Sequence, residues 1–199
     1  MGDCQDQRIL DVGCGAGHYA AELTARGASV VGIEGSPRLL EHAANRLEGR
    51  AELRQHDLET PLAFADDASF DGAVMALVIH YVDARDQLLA ELARVVRPGG
   101  WLVVSTMHPT ADWNRFGGSY YAVEKVDRPV AKGRWRTHYW RMPLETFLGE
   151  LLGAGFVLER LVEPRPVPEL QKLDPEAHDK LHTAPCFLSV RLRRGPNAG

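Results

Sequence analysis

Three glycines at alternate positions, Gly13, Gly15 and Gly17, separate the apolar run Arg8–Val12 from the helical pattern His18–Arg26. Glycine is required where the backbone takes positive φ or where a ligand lies directly against the chain. A loop of this kind between a strand and a helix is a place for a nucleotide-like ligand. No Gly-Lys-Ser/Thr follows it, so it is not a phosphate-binding P-loop, and His18 stands where the dinucleotide fingerprint has glycine or alanine. Asp11 precedes the loop by two residues. A carboxylate there would repel a pyrophosphate and suit a cation.

Two further acids fall at matching places. Glu34 ends a second apolar run, 17 residues past Gly17, where it can accept both hydroxyls of a ribose. Asp57, followed by Leu58, closes a third run and can take an adenine amino group. Taken singly, Glu34 reads as a solvated loop acid and Asp57 as a turn cap; in this order on consecutive strand ends they read as one site. His80 and His108 are the candidate bases, since each ends a later strand, and His138 is a third. Cys14, inside the glycine loop, fits packing or ligand contact better than nucleophilic attack.

The elements that must hold these residues follow the rhythm of a parallel α/β sheet, short apolar runs alternating with helical patterns. Strands are expected at Arg8–Val12, Ser29–Ile33, Ala51–Gln55, Phe70–Ala76 and Trp101–Met107, with Phe156–Val162 and Cys186–Leu192 an antiparallel pair at the sheet edge. Helices are expected at His18–Arg26, from Ser36-Pro37 to Leu47, from Asp83 or Ala84 to Val96, and at Pro143–Leu152. The Pro-rich Glu163–Glu169 reads as a loop and 193–199 as a flexible tail. The whole chain reads as one domain.

One segment, 108–142, breaks the rhythm. Between Asp112 and Met142 lie seven aromatic residues, among them Trp113, Tyr120, Tyr121 and Tyr139, and seven Lys/Arg against three acids. Gly133–Arg141 alternates as a strand would, and the segment serves equally as a substrate wall, an inward-packing lid or a homodimer contact.

With 199 residues, 45% of them hydrophobic, and a net charge of −4, the chain has an ordinary globular composition and not the basic balance of a nucleic-acid binder. No apolar run reaches the ~18–20 residues of a membrane span. Three cysteines without C-x-x-C spacing imply neither a disulfide framework nor a metal site. The start lacks the pattern of a secretory leader, so a cytoplasmic protein is expected.

Taken together, Leu10–Gly17 (LDVGCGAG), Val31–Glu34 (VGIE), Asp57-Leu58, Phe70–Val82 (FDGAVMALVIHYV) and Leu92–Leu102 (LARVVRPGGWL) resemble the class I S-adenosylmethionine-dependent methyltransferases, specifically the small type 11 branch. The resemblance is close over about Arg8 to Met107. It implies a Rossmann-like, seven-stranded, mostly parallel sheet with helices on both faces and an antiparallel C-terminal edge strand. It also implies S-adenosylmethionine as cofactor, its methionine part against Asp11, Gly13 and Gly15, its ribose on Glu34, its adenine beside Asp57 and Leu58, and the Ala76-Leu77 backbone alongside. Cys14, Gly17, Gly35 and Ser36 complete the implied cofactor set, and Tyr81, Trp113, Tyr120, Tyr121 and Tyr139 are the candidate acceptor contacts.

The resemblance further implies in-line transfer of an already activated methyl to a small-molecule O, N or C nucleophile. Alignment supplies most of the rate, up to ~7–11 kcal/mol, and a base is optional. Only seven residues precede Arg8, where members of the family usually carry covering helices, so 112–142 is expected to fold over the site and its cations to favour an anionic acceptor. The alternatives are a non-catalytic or impaired cofactor-binding protein, a nicotinamide-dependent oxidoreductase, and a nucleic-acid methyltransferase. The oxidoreductase is disfavoured by Asp11 and the loop spacing. The nucleic-acid enzyme is disfavoured by His80-Tyr81 standing where such enzymes carry Asn/Asp-Pro-Pro-Tyr/Phe.

Overall fold

The computed structural model describes residues 4–130 and 135–196. Its centre is a seven-stranded sheet in the order β3-β2-β1-β4-β5-β9-β8, formed by β1 (Arg8–Val12), β2 (Ser29–Glu34), β3 (Glu52–Gln55), β4 (Phe70–Ala76), β5 (Val96–Met107), β8 (Phe156–Val162) and β9 (Phe187–Arg194). Strands β1 to β5 pair in parallel, while β9 runs antiparallel to both β5 and β8. The reversed C-terminal strand therefore sits one place inside the edge, with β8 outermost.

Burial explains why the central strands read as continuous apolar runs: only Arg8 of β1 is exposed. Alternate residues feed two cores, as the two-residue period of a strand requires. Ile9, Val30, Val74 and Trp101 pack with Ala20, Leu23, Ala43 and Leu47 of α1 (His18–Ala25) and α2 (Pro37–Leu47). Leu10, Val12, Ile33 and Met75 pack on the other face with α3 (Arg85–Val95) and α5 (Leu144–Gly153). Ser36 caps α2, its hydroxyl accepting the Leu39 N–H, and Pro37 takes the first helical position.

The described residues of 108–142 form regular elements. After α4 (Pro109–Phe116), strands β6 (Glu124–Val130) and β7 (Trp135–Arg141) form an antiparallel ribbon with Lys125 opposite Trp140 and Val126 opposite Tyr139. Gly133 and Arg134, expected to begin that strand, lie outside the described residues.

Two expectations change. The loop ends at Val167, because Pro168 opens α6 (Pro168–Leu173) and Asp174 caps α7 (Pro175–Thr183). Arg193 and Arg194 belong to β9, paired with Val157 and Phe156, rather than to a tail; 197–199 lie outside the described residues.

Candidate functional site

The chemistry-bearing residues gather at the C-terminal ends of β1 to β5, the edge at which open parallel sheets bind ligands. Gly13 and Gly15 both adopt positive φ, 65° and 54°. Their surroundings differ. A Cβ on Gly13 would stand 2.5 Å from Cγ2 of Val78, so Gly13 lets the loop press against the turn after β4. A Cβ on Gly15 would meet nothing within 4 Å: the loop faces open space there, as a cradle for a ligand must. Gly17 caps α1.

Glu34 ties the loop to β2. Its Oε2 accepts the Gly15 N–H at 3.0 Å and its Oε1 the Ser36 N–H at 2.9 Å. Asp11 is 1% exposed, and its Oδ2 has no hydrogen-bond partner among the described residues. Burial pushes its pKa up to about 7; the backbone hydrogen bond from Ala20 opposes the rise and the charge of Glu34 adds to it. Cys14 donates its N–H to the Ile33 carbonyl and packs its sulfur against Gly32. Burial, then Asp11 and Glu34, push that thiol up to about 12, which makes it a packing group and no nucleophile.

Asp57 accepts the Glu59 N–H at 3.1 Å. Together with Leu58, Gly35 and His56 it lines an open cleft of about 750 Å³ whose far wall is Val78 and Tyr81. Beyond Ala76, the last residue of β4, Leu77 holds φ +60 and donates its N–H to Ser105 at 2.8 Å. A non-glycine residue in that region costs ~1–3 kcal/mol, and such strain gathers at binding sites.

Tyr81 also borders a smaller chamber, about 330 Å³, walled in part by Leu77, His80 and Tyr139. His80 is buried, stacks on Tyr139 at 4.5 Å and contacts the Trp140 carbonyl through Nδ1. Because a carbonyl only accepts, Nδ1 is the donor in this contact. Tyr139 in turn donates its hydroxyl to buried Asp112 at 2.9 Å. The ribbon is fastened above this chamber by Asp83, whose carboxylate takes Lys125 Nζ at 2.6 Å and Trp140 Nε1 at 2.7 Å.

Several expected site residues fall elsewhere. His108 caps α4: its Nδ1 accepts the Thr110 N–H, and its Nε2 lies 3.1 Å from a Glu163 carboxylate oxygen. Both nitrogens are thus engaged, and burial lowers its pKa against the pull of Glu163, which suits a structural cap better than a base. Trp113, Tyr120 and Tyr121 pack on one another beside α4. The Trp113 indole donates to Gly118 and the Tyr120 hydroxyl accepts the Leu144 N–H, so these rings close the segment's ends and do not wall the chamber. Three of the segment's cations are committed too: Lys125 to Asp83, Arg136 to Asp127 and Arg141 to Glu124. That leaves these three unsuited to a rim for an anionic acceptor. Thr106, Met107 and Phe187 complete the chamber, and their short side chain or apolar type carried no signal in the sequence.

A glycine cradle after β1, an acid ending β2 and an acid after β3, on a sheet with this strand order, define the cofactor edge of a class I methyltransferase fold. Residues 10–104 match the family model described as "Methyltransferase domain". The chain is 34% identical over 122 residues to a demethylmenaquinone methyltransferase of Tropheryma whipplei, covering 61% of this chain and 49% of that one. It is 35% identical over 111 residues to a ubiquinone biosynthesis O-methyltransferase of Alkalilimnicola ehrlichii, covering 54% and 44%. The chain thus spans about half the length of these curated relatives. A solved S-adenosylmethionine-dependent methyltransferase from Mesorhizobium loti superposes with a TM-score of 0.80 at 27% identity, covering 98% of this chain and 94% of that one. Fold and sequence agree: the chain carries a domain of the class I S-adenosylmethionine-dependent methyltransferase family.

Proposed function

We propose that this protein transfers a methyl group from S-adenosylmethionine to a small-molecule acceptor. The observation that carries this reading is the pair of spaces that share Tyr81, an acid-lined cleft on one side and an apolar chamber on the other. The chain's residues fit the cofactor: the space over Gly15 accepts it, and the buried Asp11 Oδ2 offers a lone pair to its cationic part. Glu34 lies within reach of a ribose and Asp57 with Leu58 of an adenine. Gly35 and Ser36 carry the chain between them, and Ala76 and Leu77 border the reacting end.

When bound, the cofactor supplies a methyl already activated on a sulfonium. The acceptor's nucleophilic atom then forms the new bond to that carbon as the methyl–sulfur bond breaks, its electron pair staying on sulfur. The acceptor's proton, where it has one, passes to His80 Nε2 or to water. A base so placed contributes ~10²–10⁴-fold. Tyr81 and Tyr139 hold the acceptor, and the ribbon over the chamber excludes water.

The curated relatives' names, a demethylmenaquinone methyltransferase and a ubiquinone biosynthesis O-methyltransferase, support a small-molecule acceptor rather than a nucleic acid. The net charge of −4 supports it as well. Among the described residues no helix is long and apolar enough to cross a membrane.

Titration calorimetry with S-adenosylhomocysteine, followed by transfer of a tritiated methyl to extracted small molecules, tests the reading. Micromolar binding and a labelled low-mass product are expected. A folded protein that leaves the ligand unbound would overturn it.

A further inference from the structure

The chamber beside Tyr81 has a composition specific enough to select what enters it. Four rings face it, from His80, Tyr81, Tyr139 and Phe187, with Met107 and Leu77 between them. None of the described residues lining it is Lys, Arg, Asp or Glu. A carboxylate or an ammonium carried into this space would give up part of its hydration and meet no counter-charge in the lining. Charges around the chamber do not compensate: Lys125 is paired with Asp83 and Arg141 with Glu124, and buried Asp112 already accepts the Tyr139 hydroxyl.

One polar atom on the wall stands apart. Thr106 is 1% exposed, and its Oγ1 has no hydrogen-bond partner among the described residues. Buried hydroxyls are almost always satisfied, so an orphan on a cavity wall marks where a ligand's polar group belongs. Its place is fixed from both sides. Thr106 opposes Leu188 of β9, and its neighbour Ser105 receives the Leu77 N–H on the β4 side, beside the turn that separates chamber from cleft. A volume of about 330 Å³ is at the small end of ligand pockets, which run from ~300 to ~1,000 Å³.

Resting on the methyl-transfer reading above, we infer that the acceptor is a neutral, planar, hydroxyl-bearing ring of one- or two-ring size, and that Thr106 determines specificity by hydrogen-bonding its polar edge. The rings supply offset or edge-on contact to a π-face. A phenolic hydroxyl enters uncharged, because its pKa lies near ~10. The threonine hydroxyl both donates and accepts, so it serves a phenol or a ring carbonyl alike. The acceptor oxygen forms the bond to the methyl carbon, the methyl–sulfur bond breaks with its pair left on sulfur, and the hydroxyl proton leaves to water.

The test separates cofactor from acceptor. Calorimetry first measures S-adenosylhomocysteine binding to the wild type, Thr106→Val and Thr106→Ser, and equal affinities are expected. With that ligand bound, catechol, p-cresol and 2-naphthol are titrated by NMR. At least one should bind, about ten-fold more weakly to Thr106→Val and normally to Thr106→Ser. The charged counterpart 3,4-dihydroxybenzoate should bind about ten-fold more weakly than catechol. The inference is overturned if none of the three neutral phenols binds the loaded protein, if Thr106→Val binds them as the wild type does, or if the carboxylated ring binds equally well. Failure of S-adenosylhomocysteine itself to bind would sink the methyl-transfer reading, and the acceptor role with it.

Discussion

The side chain of Glu34 holds the backbone of Gly15: a carboxylate oxygen at the end of β2 accepts that residue's N–H at 3.0 Å. The contact joins two parts of the cofactor edge, since the residue that would bind the ribose also shapes the loop that would receive the methionine part. Glu34→Ala therefore loses both the ribose contacts and the loop's tether. Charge-assisted hydrogen bonds contribute ~1.5–3 kcal/mol each, partly replaced by water, so affinity for S-adenosylhomocysteine should fall by about one to two orders of magnitude. Calorimetry on the folded variant decides it, and unchanged affinity removes the ribose assignment.

Gly13 and Gly15 share a backbone conformation and differ in what lies above them, so substitution separates folding from binding. Gly15→Val sets a branched side chain into open space: the protein should fold, with a penalty of about 1–2 kcal/mol for positive φ, and lose cofactor binding. Gly13→Ala drives a methyl into Val78 and should lower Tm by more than Gly15→Ala does. Thermal melts and calorimetry run side by side check both, and normal binding by Gly15→Val would contradict the placement of the ligand.

Asp11 gives a pH signature with a definite sign. Its carboxyl titrates near 3.8 when unfolded and near 7 when folded. Between those values the folded state holds a proton that the unfolded state has released. The contribution is complete below about pH 3.8 and is lost as pH rises to about 7. Asp11→Asn should flatten that slope, worth a few kcal/mol in all, in denaturant melts across the window. A cationic ligand reverses the preference, so binding near pH 6 should release a proton, seen as a dependence of calorimetric heat on buffer ionisation enthalpy. Equal heats in all buffers would show that Asp11 does not meet the ligand's charge.

The ribbon's role is tested at Asp83, which holds Lys125 and Trp140 together and whose carboxyl those two partners keep below the usual range. Excising the whole of 112–142 would also remove Tyr139 and Met142 from the core, so a single substitution is the cleaner probe. Asp83→Ala should expose the ribbon to limited proteolysis, change cofactor affinity by no more than about two-fold, as befits an exposed ion pair, and cut methyl transfer. Full turnover with a protease-sensitive ribbon would show that the ribbon does not seal the chamber.

Much of the fold was legible in the sequence because parallel strands are buried on both faces and advertise themselves as apolar runs, and the candidate site residues because they stand at those strands' ends. Asp11, Glu34 and Asp57 needed only the strand count to be aligned. His108 misled for the same reason: a histidine ending a strand reads as a base, and its capping of α4 depends on Pro109 starting a helix that was not expected from the sequence. Prolines 168 and 175 hid α6 and α7 in the same way. Strand β6 was invisible because its charges follow no clear apolar alternation, and its place is set by β7 opposite. Thr106 gave no signal at all, for an isolated threonine in an apolar strand gains its meaning only from β9 and β4 on either side.

The seating of β9 between β5 and β8 has a consequence for how the chain is made. Met107 and its partner Phe187 lie 80 residues apart, and no earlier strand occupies the flank of β5. While the ribosome is still adding the residues between them, β5 carries an open, unpaired edge of the kind that recruits foreign strands. The wall of the acceptor chamber that Phe187 supplies is delivered last. An elongating chain can assemble the cofactor half of the sheet early, yet it acquires a closed acceptor chamber only as synthesis of β9 ends, so stalling or truncation near residue 187 should yield a species that binds cofactor, aggregates through β5 and methylates nothing.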